Sequence, residues 1–165
     1  MTMDSAARNV HAFLDLRKSS GHKVMAIGNG GSAAIAAHMQ NDLSNAAAIR
    51  ALSFQDIPTL TAMTNDFGQE EAYARFVQHW ADAADLLVAI SSSGASENIL
   101  RAVQAARKIG CSVITFSGFA PTNQLRQKGD INFYVPASDY GFVETLHAVL
   151  AHYFTDLIKT GGIEE

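Results

Sequence analysis

Along the chain, short apolar runs alternate with stretches in which apolar positions recur every three to four residues. The runs "KVMAIG", "IRALSF", "DLLVAIS", "SVITFSG" and "INFYVP" predict five strands, near-continuously apolar as strands covered on both faces are. The recurring pattern predicts helices over about residues 5–18, 32–43, 70–80, 96–109 and 142–159, with a short piece after Pro121. Pro58 suits the first turn of a further short helix, and Gly110 suits the stop after "AVQAARKI". Five strands alternating with about seven helices define an α/β chain, expected as a three-layer α-β-α sandwich around a five-stranded parallel sheet. Within the helix over 70–80, Tyr73, Phe76 and Trp80 follow helical spacing and are expected to pack. With no internal repeat and no Pro/Ser-rich linker, a single domain over residues 1–165 is expected, its opening helix in 1–20 and its core in 21–160.

Composition narrows the function classes. At 165 residues, with 48% hydrophobic and 17% charged positions, the chain has the balance of a folded domain with one sizeable core. A formal net charge of -4 leaves no basic stripe for a phosphate backbone, so nucleic acid is not an expected partner. No apolar run reaches the length of a membrane span, and the start lacks a basic-then-apolar signal, so no membrane partner is expected either. Cys111, the only cysteine, precludes an internal disulfide and reads, in "KIGCSVITF", as a buried strand residue. A cytoplasmic location is the expectation.

Two strand-to-helix loops are built for an anion. In an open parallel sheet, ligands sit beyond the carboxyl ends of the strands, which singles out the loops leaving "VMAIG" and "LLVAIS". The first, "GNGGSA", formally fits a dinucleotide fingerprint, but the acidic residue that should hold a ribose is matched only by Asp56, already past its strand and just before Pro58. The second, "ISSSGASEN", gathers Ser91, Ser92, Ser93 and Ser96 around Gly94, so that hydroxyls and free helix-start N–H groups can converge on one dianion without a lysine. A plain serine N-cap explains one such loop; two in one sheet point to a phosphate ligand.

Histidines supply the other chemistry. His38 and Asp42 stand at i and i+4 on one face of the helix that follows the glycine turn. Glu144, His147 and His152 fall within a broad stripe of the last helix. A lone histidine on an apolar helix is a core residue; imidazoles and carboxylates from two helices make a zinc-competent set with a position left for substrate oxygens. His11, His22 and His79 have no partner at ligand spacing and are expected at the surface or in packing.

The segments "GNGGSAAIAAH" and "ISSSGASENILRAV", joined by "LTAMTNDFGQEEAYARFV", resemble the sugar isomerase (SIS) domain and, within it, the phosphoheptose isomerases, over residues 22–159 and in family order. The resemblance implies a flavodoxin-like SIS fold. It also implies conversion of sedoheptulose 7-phosphate into D-glycero-D-manno-heptose 7-phosphate, a step of heptose and lipopolysaccharide biosynthesis. In that family a histidine and a glutamate on the first helix and a glutamine and a histidine on the last bind zinc; these positions are His38, Asp42, Glu144 and His152 here. Asp42 is one methylene shorter than the family's glutamate, and Glu144 replaces a neutral amide, so the implied shell is one charge more negative. By the same resemblance Asp42 and His152 are the catalytic acid/base pair, and Ser91, Ser93 and Ser96, with Ser92 beside them, hold the phosphate. Asn29, Gly30, Gly31, Asn65, Asp66 and Glu144 are the implied substrate contacts; by itself "TNDFG" also reads as a simple turn.

Other positions depart from the family. Ile35 stands where an aspartate is usual, and "DYGFV" replaces a polar, arginine-containing run. SIS domains assemble as dimers or tetramers with sites completed across subunits, so a homo-oligomer is implied, a dimer or a homotetramer. The chain opens later than typical members, without much of the preceding helix that commonly helps build the tetramer. The competing reading is a non-catalytic SIS module that binds a sugar phosphate or a protein, like the replication-initiation regulators that resemble phosphoheptose isomerases; His152 favours the enzyme. Aldose–ketose interconversion needs a base near the first carbon, an acid near the carbonyl oxygen and charge stabilisation on that oxygen, which imidazole, carboxylate and metal together provide.

Overall fold

The protein is described by a computed structural model covering residues 3–162. The expected domain limits also take in residues 1–2 and 163–165, which lie outside the described residues. Five strands form one sheet: β1 (Val24–Ile27), β2 (Ala51–Ser53), β3 (Leu86–Ser91), β4 (Ser112–Ser117) and β5 (Ile131–Tyr134). All neighbours pair in parallel, in the order β2-β1-β3-β4-β5, the flavodoxin-like order. Among the described residues six α-helices cover it: α1 (Met3–Ser20), α2 (Gly31–Asn45), α3 (Ile57–Phe67), α4 (Gln69–Trp80), α5 (Glu97–Ile109) and α6 (Tyr140–Thr160). The piece expected after Pro121 is only a 3-10 turn, Leu125–Gln127.

The helix limits follow local chemistry. Asp56 accepts from the Thr59 N–H at 3.0 Å with Pro58 in the first turn of α3, and Asp139 accepts from the Phe142 N–H at 3.0 Å at the start of α6. Gly110 ends α5 in the left-handed region, its N–H returning to Ala106 and Arg107.

Two cores result, one on each face of the sheet. Leu14, Met39, Leu43 and Phe154 from α1, α2 and α6 pack on one side, and Tyr73, Phe76, Ile99 and Val103 from α4 and α5 on the other. At the amino end of the strands the buried Asp85 carboxylate accepts from the Lys23 and Asp82 N–H groups at 2.9 and 2.7 Å and pairs with the Lys23 ammonium at 2.6 Å, so its charge is balanced and hydrogen-bonded.

Two packing expectations need correction. Cys111 is buried as expected but precedes β4 rather than lying in it, and burial pushes its thiol up to about 11, which leaves it unreactive. Trp80 does not pack in the core: as the last residue of α4 it is 57% exposed and lines an open groove with Arg50, Ala51 and Leu52.

The topology fixes where a ligand goes. β1 runs into α2 on one face and β3 into α5 on the other, so the crevice between their carboxyl ends is where the strand order reverses.

Candidate active site

Two turns build that crevice. After β1, Gly30 precedes α2 with φ +53°, and a Cβ on Gly28 would sit 2.5 Å from the Ser32 carbonyl, so the turn closes this tightly only with glycine. Tyr73 of α4 donates its hydroxyl to the Gly28 carbonyl at 2.6 Å; burial raises its pKa above the ordinary value and keeps it a donor. After β3, Gly94 takes φ +64° and Ser96 leads into α5. The Ser91 and Ser96 hydroxyls lie 3.1 Å apart, and Ser93 Oγ accepts from the Ala95 N–H at 3.3 Å. Asn29 and Asn98 exchange two amide hydrogen bonds of 2.9 Å each, which clamps one turn to the other.

Between the turns lies a cavity of about 260 Å³, lined by Asn29, Gly31, Ser91, Ser93, Ser96 and Glu144 among others. No lysine, arginine or histidine lines it among the described residues. Its anion-binding capacity rests on hydroxyls and on the free N–H groups at the starts of α2 and α5. Glu144, in the second turn of α6, closes one side: its carboxylate accepts from the Ser92 hydroxyl at 3.4 Å and lies against Gly31, where a methyl group would overlap it.

Further along the same two helices, Ala34 and Ile35 of α2 and Ala148 and Ala151 of α6 line an apolar cleft of about 320 Å³ that also holds His38 and His152. There the two histidines meet one carboxylate. His38 Nε2 is 3.2 Å and His152 Nδ1 3.4 Å from Asp42 Oδ2, with ring centroids 4.7 Å apart. All three offer a ligand atom within 4.8 Å of the others. Tetrahedral zinc with bonds of about 2.0–2.1 Å puts its donors about 3.3–3.4 Å apart, and the two His–Asp spacings are of that size.

Glu144, expected as a fourth ligand, is not in this group; its side chain turns to Ser92 and Gly31 instead. His147, from the same expected stripe, points into the core against Phe116, where Nε2 lies 3.3 Å from the Ser117 carbonyl. Asn65 and Asp66 occupy the last turn of α3, exposed, hydrogen-bonded to each other at 3.0 Å and outside the cavity lining. Half-buried His22 reaches the Asp85 carboxylate at 3.5 Å, and exposed His79 lies 2.7 Å from the Arg75 carbonyl. Asn98, Tyr73 and Tyr140 also support or line the crevice; the sequence marked Tyr73 only as a packing residue, and Asn98 only by its place in "ISSSGASEN".

The two central loops of the parallel sheet thus form a hydroxyl-lined crevice, and a His–Asp–His cluster lies further along α2 and α6, in a flavodoxin-like α/β domain. The model of the SIS domain matches residues 2–118. A phosphoheptose isomerase from Helicobacter hepaticus is 35% identical over 96% of this chain and 84% of its own length. Solved phosphoheptose isomerases from Francisella tularensis and Neisseria gonorrhoeae superpose with TM-scores of 0.88 and 0.87, each 28% identical over 94% of this chain and 86% of theirs. The chain belongs to the SIS domain family, in its phosphoheptose isomerase branch.

Proposed function

We propose that the protein is an aldose–ketose isomerase of phosphorylated sugars, converting sedoheptulose 7-phosphate into D-glycero-D-manno-heptose 7-phosphate through an enediol. The observation that carries this reading is that α2 and α6 border both the serine-lined cavity and, further along, the cleft with the His38–Asp42–His152 cluster; an extended sugar phosphate would bridge the two in one groove. A phosphate held by Ser91, Ser92, Ser93, Ser96 and the start of α5 directs the sugar along the groove, past Asn29, Gly30 and Gly31, toward the cluster. Asp42 takes the proton from the first carbon of the ketose and returns it to the second, while His152 moves a proton between the two oxygens; the pair must therefore sit on one side of the sugar chain.

His38, Asp42 and His152 would hold a zinc ion, and the chemistry such an ion supplies is positive charge beside the oxygens that become negative in the enediol. Asn65 and Asp66, exposed on α3, reach substrate from a neighbouring subunit of a homo-oligomer. The lone buried thiol and the phosphorylated substrate support a cytoplasmic location. No helix among the described residues is long and apolar enough to cross a membrane.

The test is turnover of sedoheptulose 7-phosphate by purified protein with and without added zinc, followed by proton NMR in deuterated water. The enzyme exchanges the first-carbon proton and accumulates aldose. His152→Ala and Asp42→Ala lower kcat by about 10²-fold or more. Absence of turnover in both conditions refutes the isomerase. A non-catalytic SIS module is the second reading, favoured by the shortened Asp42 and by Glu144 standing apart from the cluster; it predicts sugar-phosphate binding without stoichiometric zinc.

A further inference from the structure

We infer that the groove beside Trp80 is a second ligand site, for a small planar anion: an aromatic ring that carries a carboxylate or a phosphate. Lys23, Arg50 and Asp82, which line it, stand just before β1, β2 and β3, so it lies at the amino ends of the strands, away from the crevice at their carboxyl ends. The inference goes beyond the proposed isomerase and does not depend on it.

Size, shape and charge carry it together. The groove encloses about 700 Å³, against about 260 Å³ for the serine-lined cavity, and falls in the range of about 300–1,000 Å³ that small-molecule sites occupy. Ala48 takes φ +56°, a region that residues with a β-carbon rarely adopt, where the chain turns from α2 toward β2. Ser44, Ala48 and Ala51, all small, leave room in the lining. Trp80 supplies one large flat group: it is exposed, and its indole N–H has no hydrogen-bond partner among the described residues. Such a face is suited to stacking.

Arg50 supplies the charge. Its guanidinium donates from Nη1 to the Gly21 carbonyl at 2.8 Å, which fixes its direction, and it forms no ion pair among the described residues, so the rest of its fork of donors is open. The other cation in the lining is already engaged, since the Lys23 ammonium lies 2.6 Å from both Asp82 and Asp85. His79 Nδ1 lies 2.7 Å from the Arg75 carbonyl and donates to it, which leaves Nε2 free to accept from a ring substituent. These groups select the ligand jointly. A bare anion leaves the indole in water, and a neutral ring leaves the guanidinium unpaired; a ring with an anionic group answers both.

The experiment reads Trp80 directly. The chain holds one tryptophan, so heteronuclear NMR of the intact protein shows one indole N–H signal, whose movement reports this groove and not the serine-lined crevice. Four probes are titrated: adenosine monophosphate and para-hydroxybenzoate, each a ring with an anionic group; adenosine, a ring without the charge; and inorganic phosphate, a charge without the ring. At least one of the two aromatic anions is expected to move the signal saturably, with a Kd of about 1 mM or tighter and about tenfold tighter than adenosine or phosphate. Saturation by adenosine monophosphate alone identifies a nucleotide, and by para-hydroxybenzoate alone an aromatic carboxylate. Arg50→Met keeps the length of the side chain and removes its charge; it is expected to weaken binding about tenfold, the loss of one charge-assisted contact. Trp80→Ala, at an exposed helix end and read by calorimetry, is expected to lose the same ligand, and melting curves show that each variant is folded. A signal unmoved by both aromatic anions, adenosine or phosphate binding as tightly as they do, or full affinity in either variant overturns the inference. Turnover of sedoheptulose 7-phosphate enters none of these outcomes, so the isomerase stands or falls separately.

Discussion

His147 and His152 lie on one helix yet have opposite roles, because five residues at 100° each turn them about 140° apart. His152 emerges toward Asp42 with 57% of its side chain exposed; His147 is fully buried, with Nδ1 unpartnered. Burial pushes the His147 pKa down to about 4, partly opposed by the Ser117 carbonyl. The folded state therefore binds this proton less readily than the unfolded chain, whose histidine titrates near 6.5. Stability from His147 is fully present above pH 6.5 and is lost as pH falls toward 4, by about 2 kcal/mol at pH 5. His147→Leu should remove this dependence. The Ser117 carbonyl keeps its bond from the Val135 N–H at 2.8 Å, so at pH 8 the variant should lie within about 1.5 kcal/mol of the wild type. Urea unfolding at pH 8 and pH 5 gives the comparison; equal losses in both proteins would show that the buried imidazole is not what titrates.

At the scale of elements, the five strands and the main helices were legible because their signals are local. A strand covered on both faces is near-continuously apolar, as β3 is up to Ser91, and a helix end shows in its stop residue, as at Gly110. What stayed hidden depends on which elements meet. The Asn29–Asn98 bridge joins residues 69 positions apart, and Tyr73 looks like a packing residue until its hydroxyl meets Gly28. The two helices of the candidate site were found, but not the separation of Glu144 from the histidines, since periodicity gives a side chain's face and not its final direction. The glycine turn tests this account of the elements. A β-carbon at Gly28 meets Ser32 backbone, which cannot step aside, so Gly28→Ala should cost about 2 kcal/mol or more and distort the start of α2. At Gly31 the obstacle is the end of the Glu144 side chain, which can rotate away. Gly31→Ala should therefore cost much less, and thermal melts of the two variants should differ by several degrees.

For the whole molecule, the proposed contact of Asn65 and Asp66 with substrate is not met within one chain, since both are exposed in the last turn of α3. The proposed substrate role of these two residues requires a second subunit, and the surface offers a place for one. Phe142, Val149 and Tyr153 repeat along α6 at intervals of seven and four, a single stripe that is 58%, 57% and 38% exposed. Burying such a stripe against a copy of itself is the usual way a two-fold interface begins, and it would bring the neighbour close to His152 on the adjoining face of the same helix. Wild-type protein should sediment as a dimer or tetramer at micromolar concentration. Val149→Asp places a charge in the middle of the stripe, on an exposed helical position that the monomer does not need, and should shift the equilibrium toward monomer by about tenfold or more without lowering the melting temperature of the isolated subunit. If the active site is shared, isomerase activity per subunit should fall in step with dissociation on dilution, and more steeply in the variant. A fully active monomer would leave Asn65 and Asp66 as plain helix-end residues and confine the chemistry to the α2–α6 groove of one chain.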